Sequence, residues 1–129
     1  YSIEENGRTG EKPLCWEYLD VPERKALYDT YAQFIGFRQA HPQLFGSDVD
    51  FTWQVGSSNW STGRYIRAIA GEQAFVVVGN FDTQAQTLTV ELPTTGTWTN
   101  YFDSAEHYSE QQISLTLDAG EYRLLVNFN

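Results

Sequence analysis

Residue types able to do chemistry are present in this chain, but they are scattered. Paired carboxylates, the usual equipment for moving protons, occur as Glu4-Glu5, as Asp48 with Asp50 and as Asp103 with Glu106. The first pair lies in a polar stretch and the other two border turns, so each reads as solvated surface. His41 precedes a proline and reads as a helix terminator, while His107 reads as a turn residue. Two imidazoles that far apart are a poor start for a metal or acid/base site. Ser109 and Ser114 lack the strand–turn–helix context that sharpens a serine nucleophile. No Asp/Asn ladder with the glycine and distal glutamate of a calcium loop occurs, so neither metal nor cofactor is expected. Cys15 is the single cysteine, which excludes an internal disulfide and a cysteine zinc site. Between Leu14 and Trp16 it reads as a small buried thiol, with a reactive thiol as the alternative.

Binding is better supported than catalysis. Trp60 sits in Gly56-Ser57-Ser58-Asn59-Trp60-Ser61-Thr62-Gly63, a polar loop in which a large ring is hard to bury. Exposed aromatic faces stack on the C–H surfaces of neutral sugars, and polar neighbours aim at the hydroxyls. Trp53 and Tyr65 would lie near Trp60 if the strands flanking the loop pair. The favoured reading is nonetheless structural, with Trp60 capping the end of the sandwich or packing on another body, and sugar binding is the alternative. Asn59-Trp60-Ser61 also matches a glycosylation sequon. Trp98, Tyr101 and Phe102 read as core, because aromatics supply much of the burial in a small β domain.

The totals set limits on partners. The 129 residues carry a formal charge of −9, of which −7 falls after residue 40, where only Arg64, Arg67 and Arg123 are cationic. Such a surface neutralises few phosphates, which excludes nucleic acid and disfavours anionic membranes. The longest apolar run, Ala74 to Val78, is too short to span a bilayer. Hydrophobic residues at 41% and aromatics at 16% are ample for a folded core.

The elements that must position these residues change character near residue 42. Asp20 to Ala40 reads as one helix. Asp20 is placed to cap, Glu23 completes a capping box and Pro22 occupies the first turn. His41-Pro42 ends it. At about 100° per residue, Phe37, Phe34, Leu27, Tyr31, Ile35, Tyr28 and Ala32 sweep roughly 220° of its circumference. An ordinary surface helix needs little more than about 100°. A helix this apolar is expected between two bodies, one of them outside this sequence.

Strands follow. Phe51–Val55 alternates, and Arg64–Ala70 and Ala74–Asn80 flank a three-residue connection, Gly71-Glu72-Gln73. Thr87–Leu92 and Ile113–Leu117 alternate, Thr97–Phe102 is aromatic and extended, and Tyr122–Val126 follows a turn at Asp118-Ala119-Gly120. Ala74–Val78, apolar on both faces, is expected at the centre of its sheet. The fold class is therefore mainly β: an antiparallel sandwich of seven or eight strands, preceded by one helix. The expected division is residues 1–45, loop and helix, and 46–129, the β-sandwich.

Several segments resemble the carboxy-terminal region of α-amylases of glycoside hydrolase family 13. Lys12-Pro13-Leu14-Cys15-Trp16-Glu17-Tyr18, with the helix ending Phe37-Arg38-Gln39-Ala40-His41-Pro42, is similar to the stretch holding the last helix of the (β/α)₈ barrel. Phe75-Val76-Val77-Val78-Gly79-Asn80-Phe81, then Thr95-Gly96-Thr97-Trp98 with Tyr101, then Ala119-Gly120-Glu121-Tyr122-Arg123, resemble that family's terminal all-β domain. The resemblance implies a Greek-key sandwich docked on the catalytic barrel of the same parent chain, and it gives the helix its missing neighbour. It also implies a secreted or cell-envelope parent that cleaves α-1,4-glucans such as starch. The family's catalytic carboxylates lie on barrel strands, so none maps onto this sequence. The expected function is thus a non-catalytic, barrel-stabilising domain. The alternatives are a starch-binding module using Trp60, Trp53 and Tyr65, and a protein-interaction domain dimerising through the helix face at Phe34 and Phe37.

Overall fold

The computed structural model describes residues 14–55 and 64–128. The chain divides into two compact units, one ending at Ala40 and one beginning at His41.

In the first unit a 3₁₀ turn, Trp16–Asp20, leads into helix α1, Pro22–Ala40. The cap is Val21, not Asp20: the Val21 carbonyl accepts from Lys25 N at 2.9 Å and from Arg24 N at 3.0 Å. Pro22 fixes this register. Its locked φ and missing N–H suit the first helical position, so the residue before it becomes the cap. Lys25 and Asp29, one turn apart, form an ion pair at 2.6 Å on the solvent side. The wide apolar arc splits in two. Phe37 is buried and Phe34 half-buried, whereas Leu27, Tyr28, Tyr31 and Ile35 are each more than half exposed. Those four span about 100° of the helix, a full apolar stripe left bare.

The second unit is an antiparallel two-sheet sandwich. After a 3₁₀ turn at Pro42–Phe45 come β1 (Asp50–Val55), β2 (Arg64–Ala70), β3 (Gln73–Gly79) and β4 (Gln86–Glu91). β5 (Trp98–Asn100), β6 (Asp103–Tyr108), β7 (Gln112–Leu117) and β8 (Tyr122–Val126) complete it. A six-stranded sheet runs β1-β2-β3-β8-β5-β6, and β4 pairs with β7 in a two-stranded sheet. The chain crosses between sheets at β3–β4, β4–β5, β6–β7 and β7–β8, which makes the connectivity Greek-key rather than a meander. β3 lies between β2 and β8, where its run of apolar residues can be covered on both faces.

Ala74, Val76 and Val78 of β3, Trp98 of β5 and Leu125 of β8 meet Val90, Leu92, Ile113, Leu115 and Leu117 in one core. The β4–β7 sheet is amphipathic in the ordinary way, with Thr87 and Thr116 bonded to each other on its outer face at 3.0 Å.

Three local expectations are corrected. The β2–β3 hairpin closes on two residues, Gly71-Glu72, with Ala70 paired to Gln73. Gly71 has φ +62°, the left-handed geometry at the first loop position that matches the strand twist. The extended stretch Thr97–Phe102 is only β5. It turns at Tyr101-Phe102 into β6, so Asp103, Glu106 and His107 are strand residues rather than turn residues. Trp98 is fully buried, but Tyr101 and Phe102 are each 37% exposed and belong to the turn, not the core.

Candidate functional site

The six-stranded sheet has an unusual second face. Antiparallel register places directly opposed residues on the same side. Phe51, Ala68, Phe75 and Val126 therefore form one row, and Trp53, Ile66, Val77 and Leu124 the next. Over these four strands every member of both rows is apolar, while the first row continues onto polar Thr99 of β5 and His107 of β6; the rows point away from the β4–β7 layer. Toward β3 and β8 they are covered: Phe45 of the 3₁₀ turn lies 5.4 Å from the Phe75 ring, and Ala68, Leu124 and Val126 are buried. At the β1 edge they are bare, with Phe51 58% and Trp53 62% exposed. Beyond them Arg64 sits 4.9 Å over the ring of Phe81, itself 66% exposed.

This register separates two of the three residues proposed to bind sugar. Trp53 opposes Ile66, so it belongs to the outer face. Tyr65 opposes Val78 and packs against the inner core. Trp60 and the sequon Asn59-Trp60-Ser61 lie outside the described residues. Phe51, two residues from Trp53 on the same face, is the aromatic that sequence reasoning passed over. Its pairing with Trp53 was readable from period-two alternation alone.

The densest polar cluster joins β5, β6 and β8. Glu106 accepts from Tyr108 OH, from Asn100 Nδ2 at 2.6 Å and from Arg123 Nε at 3.2 Å. Arg123 Nη1 also reaches Glu121 at 2.6 Å. Burial alone would raise the Glu106 pKa. The hydrogen bonds from Tyr108, Asn100 and Arg123, with the charge of Arg123, outweigh it and hold the carboxyl below its usual range. Glu121 is lowered by the Asp118 backbone N–H and by Arg123. Tyr108 is pushed up to about 12, by burial and by the adjacent Glu106 carboxylate. A general acid needs the reverse, a carboxyl kept protonated near neutrality. This cluster holds its carboxylates ionised and ties strands together.

Asn80 performs a similar office beside it, its backbone N–H donating to the Glu121 carbonyl at 2.9 Å. Its Nδ2 donates to the carbonyls of Gln84 (2.7 Å), Leu117 and Asp118 (both 3.1 Å), and its Oδ1 accepts from Asp82 N. One buried amide thereby joins the β3–β4 loop to the β7–β8 turn. Sequence reading gave Asn80 no role, and a single buried asparagine carries no periodic signal that would mark one.

The remaining sites are dispersed. Cys15 is half-buried. His41 Nε2 lies 3.3 Å from Tyr101 OH, and His107 Nδ1 lies 3.0 Å from Thr99 Oγ1. Among the described residues no three His, Cys, Asp or Glu side chains gather as a metal would require. No helix there is long and apolar enough to cross a membrane.

No protein-family model matches this sequence, and no curated protein matches it. The fold does have solved counterparts. Crystal structures of AmyP, one with maltose and one of a variant with maltotriose, superpose with a TM-score of 0.64 at 18% identity. The match covers 81% of this chain and 21% of AmyP, so this chain spans about a fifth of that protein's length. At that identity the likeness establishes a shared fold.

Proposed function

We propose that this chain is the non-catalytic β domain, with the adjoining helix, of an α-amylase-like glycoside hydrolase that acts on α-1,4-glucans outside the cell. The observation that carries the reading is the second apolar face. A sandwich needs one apolar face per sheet, yet here the outer face across β1, β2, β3 and β8 is apolar as well, and it is bare at Phe51 and Trp53. Helix α1 repeats the pattern with its own bare stripe. Both are surfaces built to be covered. The likeness to a fifth of AmyP's length supports reading the covering body as the catalytic barrel of the same parent. Burying such aromatics is worth about 1.5–3 kcal/mol each, so the domain's role there is to stabilise the barrel.

Two measurements test this. The isolated chain should not turn over soluble starch, and sustained hydrolysis would defeat the non-catalytic assignment. The parent reading frame should encode alternating strands and helices with carboxylates at the strand ends. A parent lacking them would remove the amylase assignment.

A second reading, an α-glucan-binding module, is favoured by Phe51 and Trp53 presenting neighbouring rings on one flat face. Retardation in amylose-containing native gels, abolished by Trp53→Ala, would support it over the first. Unchanged mobility would count against it. Dimerisation through Phe34 and Phe37 is disfavoured, because Phe37 is buried and Phe34 half-buried.

A further inference from the structure

The two edges of the six-stranded sheet are built differently. β6, at one edge, carries Asp103 and Glu106, and its pairing with β5 is broken by a register shift at Thr99/Asn100. Charge and irregularity are ordinary means of keeping a sheet edge from pairing further. β1, at the other edge, is unguarded. Its stretch Asp50-Phe51-Thr52-Trp53-Gln54-Val55 contains no Lys, Arg or Pro and pairs with β2 in unbroken register. Alternate residues of an antiparallel strand turn their N–H and C=O groups away from the neighbour already paired. On β1 those groups meet no other strand among the described residues.

The sequence of β1 selects the strand that would complete it. A two-fold axis perpendicular to the sheet makes the outer face of one copy continuous with that of the next, so only residues of one face oppose each other. Centred on Thr52, an antiparallel pair sets Phe51 opposite Trp53 on both sides of the axis. Thr52 then opposes itself and Asp50 opposes Gln54, so the strand's one charge never meets its own copy. Ring-on-ring pairs are among the favourable cross-strand combinations, and like charges directly opposed are unfavourable. Centring on Phe51 or on Trp53 instead leaves the other ring opposite Val49 or Val55.

We propose that β1 is a strand-addition edge whose partner is β1 of a second copy of this chain, antiparallel about Thr52, so that one sheet runs through both molecules. The contact uses the edge of the sheet and not its outer face, so it does not depend on the amylase reading.

The whole chain tests it at about 0.5 M NaCl, where the repulsion between two chains of −9 is screened. An interface of one short strand per copy is small, and sedimentation equilibrium should give a Kd on the order of 0.1 mM. In a Cys15→Ser background, Thr52→Cys should close an intermolecular disulfide under mild oxidation, because the Cα atoms across the axis stand about 4.5–5.5 Å apart. Asp50→Cys should not, its two copies being about 13 Å apart along the strands. Thr52→Lys and Thr52→Glu should each weaken association about tenfold or more, and an equimolar mixture of the two should restore it. Stacking of outer faces would not respond in this way, since Thr52 lies on the face opposite to Phe51 and Trp53. Cross-linking at position 50 but not 52, Thr52 variants that associate like the unmodified chain, or a chain monomeric at this salt would each overturn the proposal.

Discussion

Asn80 shows how much a single amide can determine. Three backbone carbonyls converge on its Nδ2, and a buried carbonyl left without a donor costs about 1–3 kcal/mol. Asn80→Ala should therefore destabilise by about that amount in urea unfolding. Asn80→Asp should be worse at pH 7, because it aims a carboxylate at three carbonyl oxygens. Its folded-state pKa would be raised, so the deficit relative to Asn80→Ala should shrink as pH falls and the carboxyl regains a proton to donate. A deficit independent of pH would show that Nδ2 is not the group that matters. The Glu106–Arg123–Glu121 cluster has the opposite sign. Both carboxylates ionise more readily folded than unfolded, where the reference is 4.5. Their stabilisation is complete above that value and is lost as pH falls through the depressed folded pKa values. Arg123→Gln should flatten the acid limb of a stability–pH curve. An unchanged limb would mean the cluster contributes nothing. At the alkaline end, Tyr108 should ionise near pH 12 in a phenolate absorbance titration, well above the 10.0 of an ordinary tyrosine.

At the scale of elements, Gly36 offers a direct test of α1. It lies in the helix with nothing within 4 Å of an added Cβ. Gly36→Ala should then stabilise the unit by about 0.5–1 kcal/mol, since glycine loses more backbone freedom on helix formation. A lower Tm would mean this stretch tolerates no added methyl for a reason other than contact. Elements with strong periodicity were legible in the sequence: α1, β1, the β2–β3 pair, β4, β7 and β8 all lie within two residues of where pattern placed them. β6 was not. Its sequence Asp-Ser-Ala-Glu-His-Tyr has no apolar alternation, because as an edge strand it is mostly exposed, with Glu106 and Tyr108 only half-buried. It is a strand because β5 offers it backbone partners, and such pairing leaves no mark on side-chain hydropathy. The helix cap was misread for a related reason. Asp20 has the better capping side chain, but Pro22 sets the register. For the site, alternation placed Trp53 and Tyr65 on neighbouring strands. Which face each presents depended on a strand register that loop 56–63 obscured in the sequence.

At the scale of the whole molecule, two surfaces compete with charge. The bare stripe on α1 and the bare end of the outer sheet face favour association, while a net charge of −9 opposes it. Like-charge repulsion is screened within about 10 Å at 0.1 M salt, and the apolar attraction is not weakened by salt. The isolated chain should therefore stay largely monomeric at low ionic strength and self-associate as salt rises, the reverse of an ion-pair interface. Phe51→Ser with Trp53→Ser should reduce the association, as should Tyr31→Ser with Ile35→Ser. Neither pair should lower stability by more than about 1 kcal/mol, since the side chains removed are already exposed. Sedimentation velocity across a salt series, with ANS fluorescence on the same samples, reads both effects. If the chain remains monomeric and dark to ANS at every salt concentration, those aromatic faces are not adhesive surfaces awaiting a partner, and the barrel-covered domain loses its physical basis.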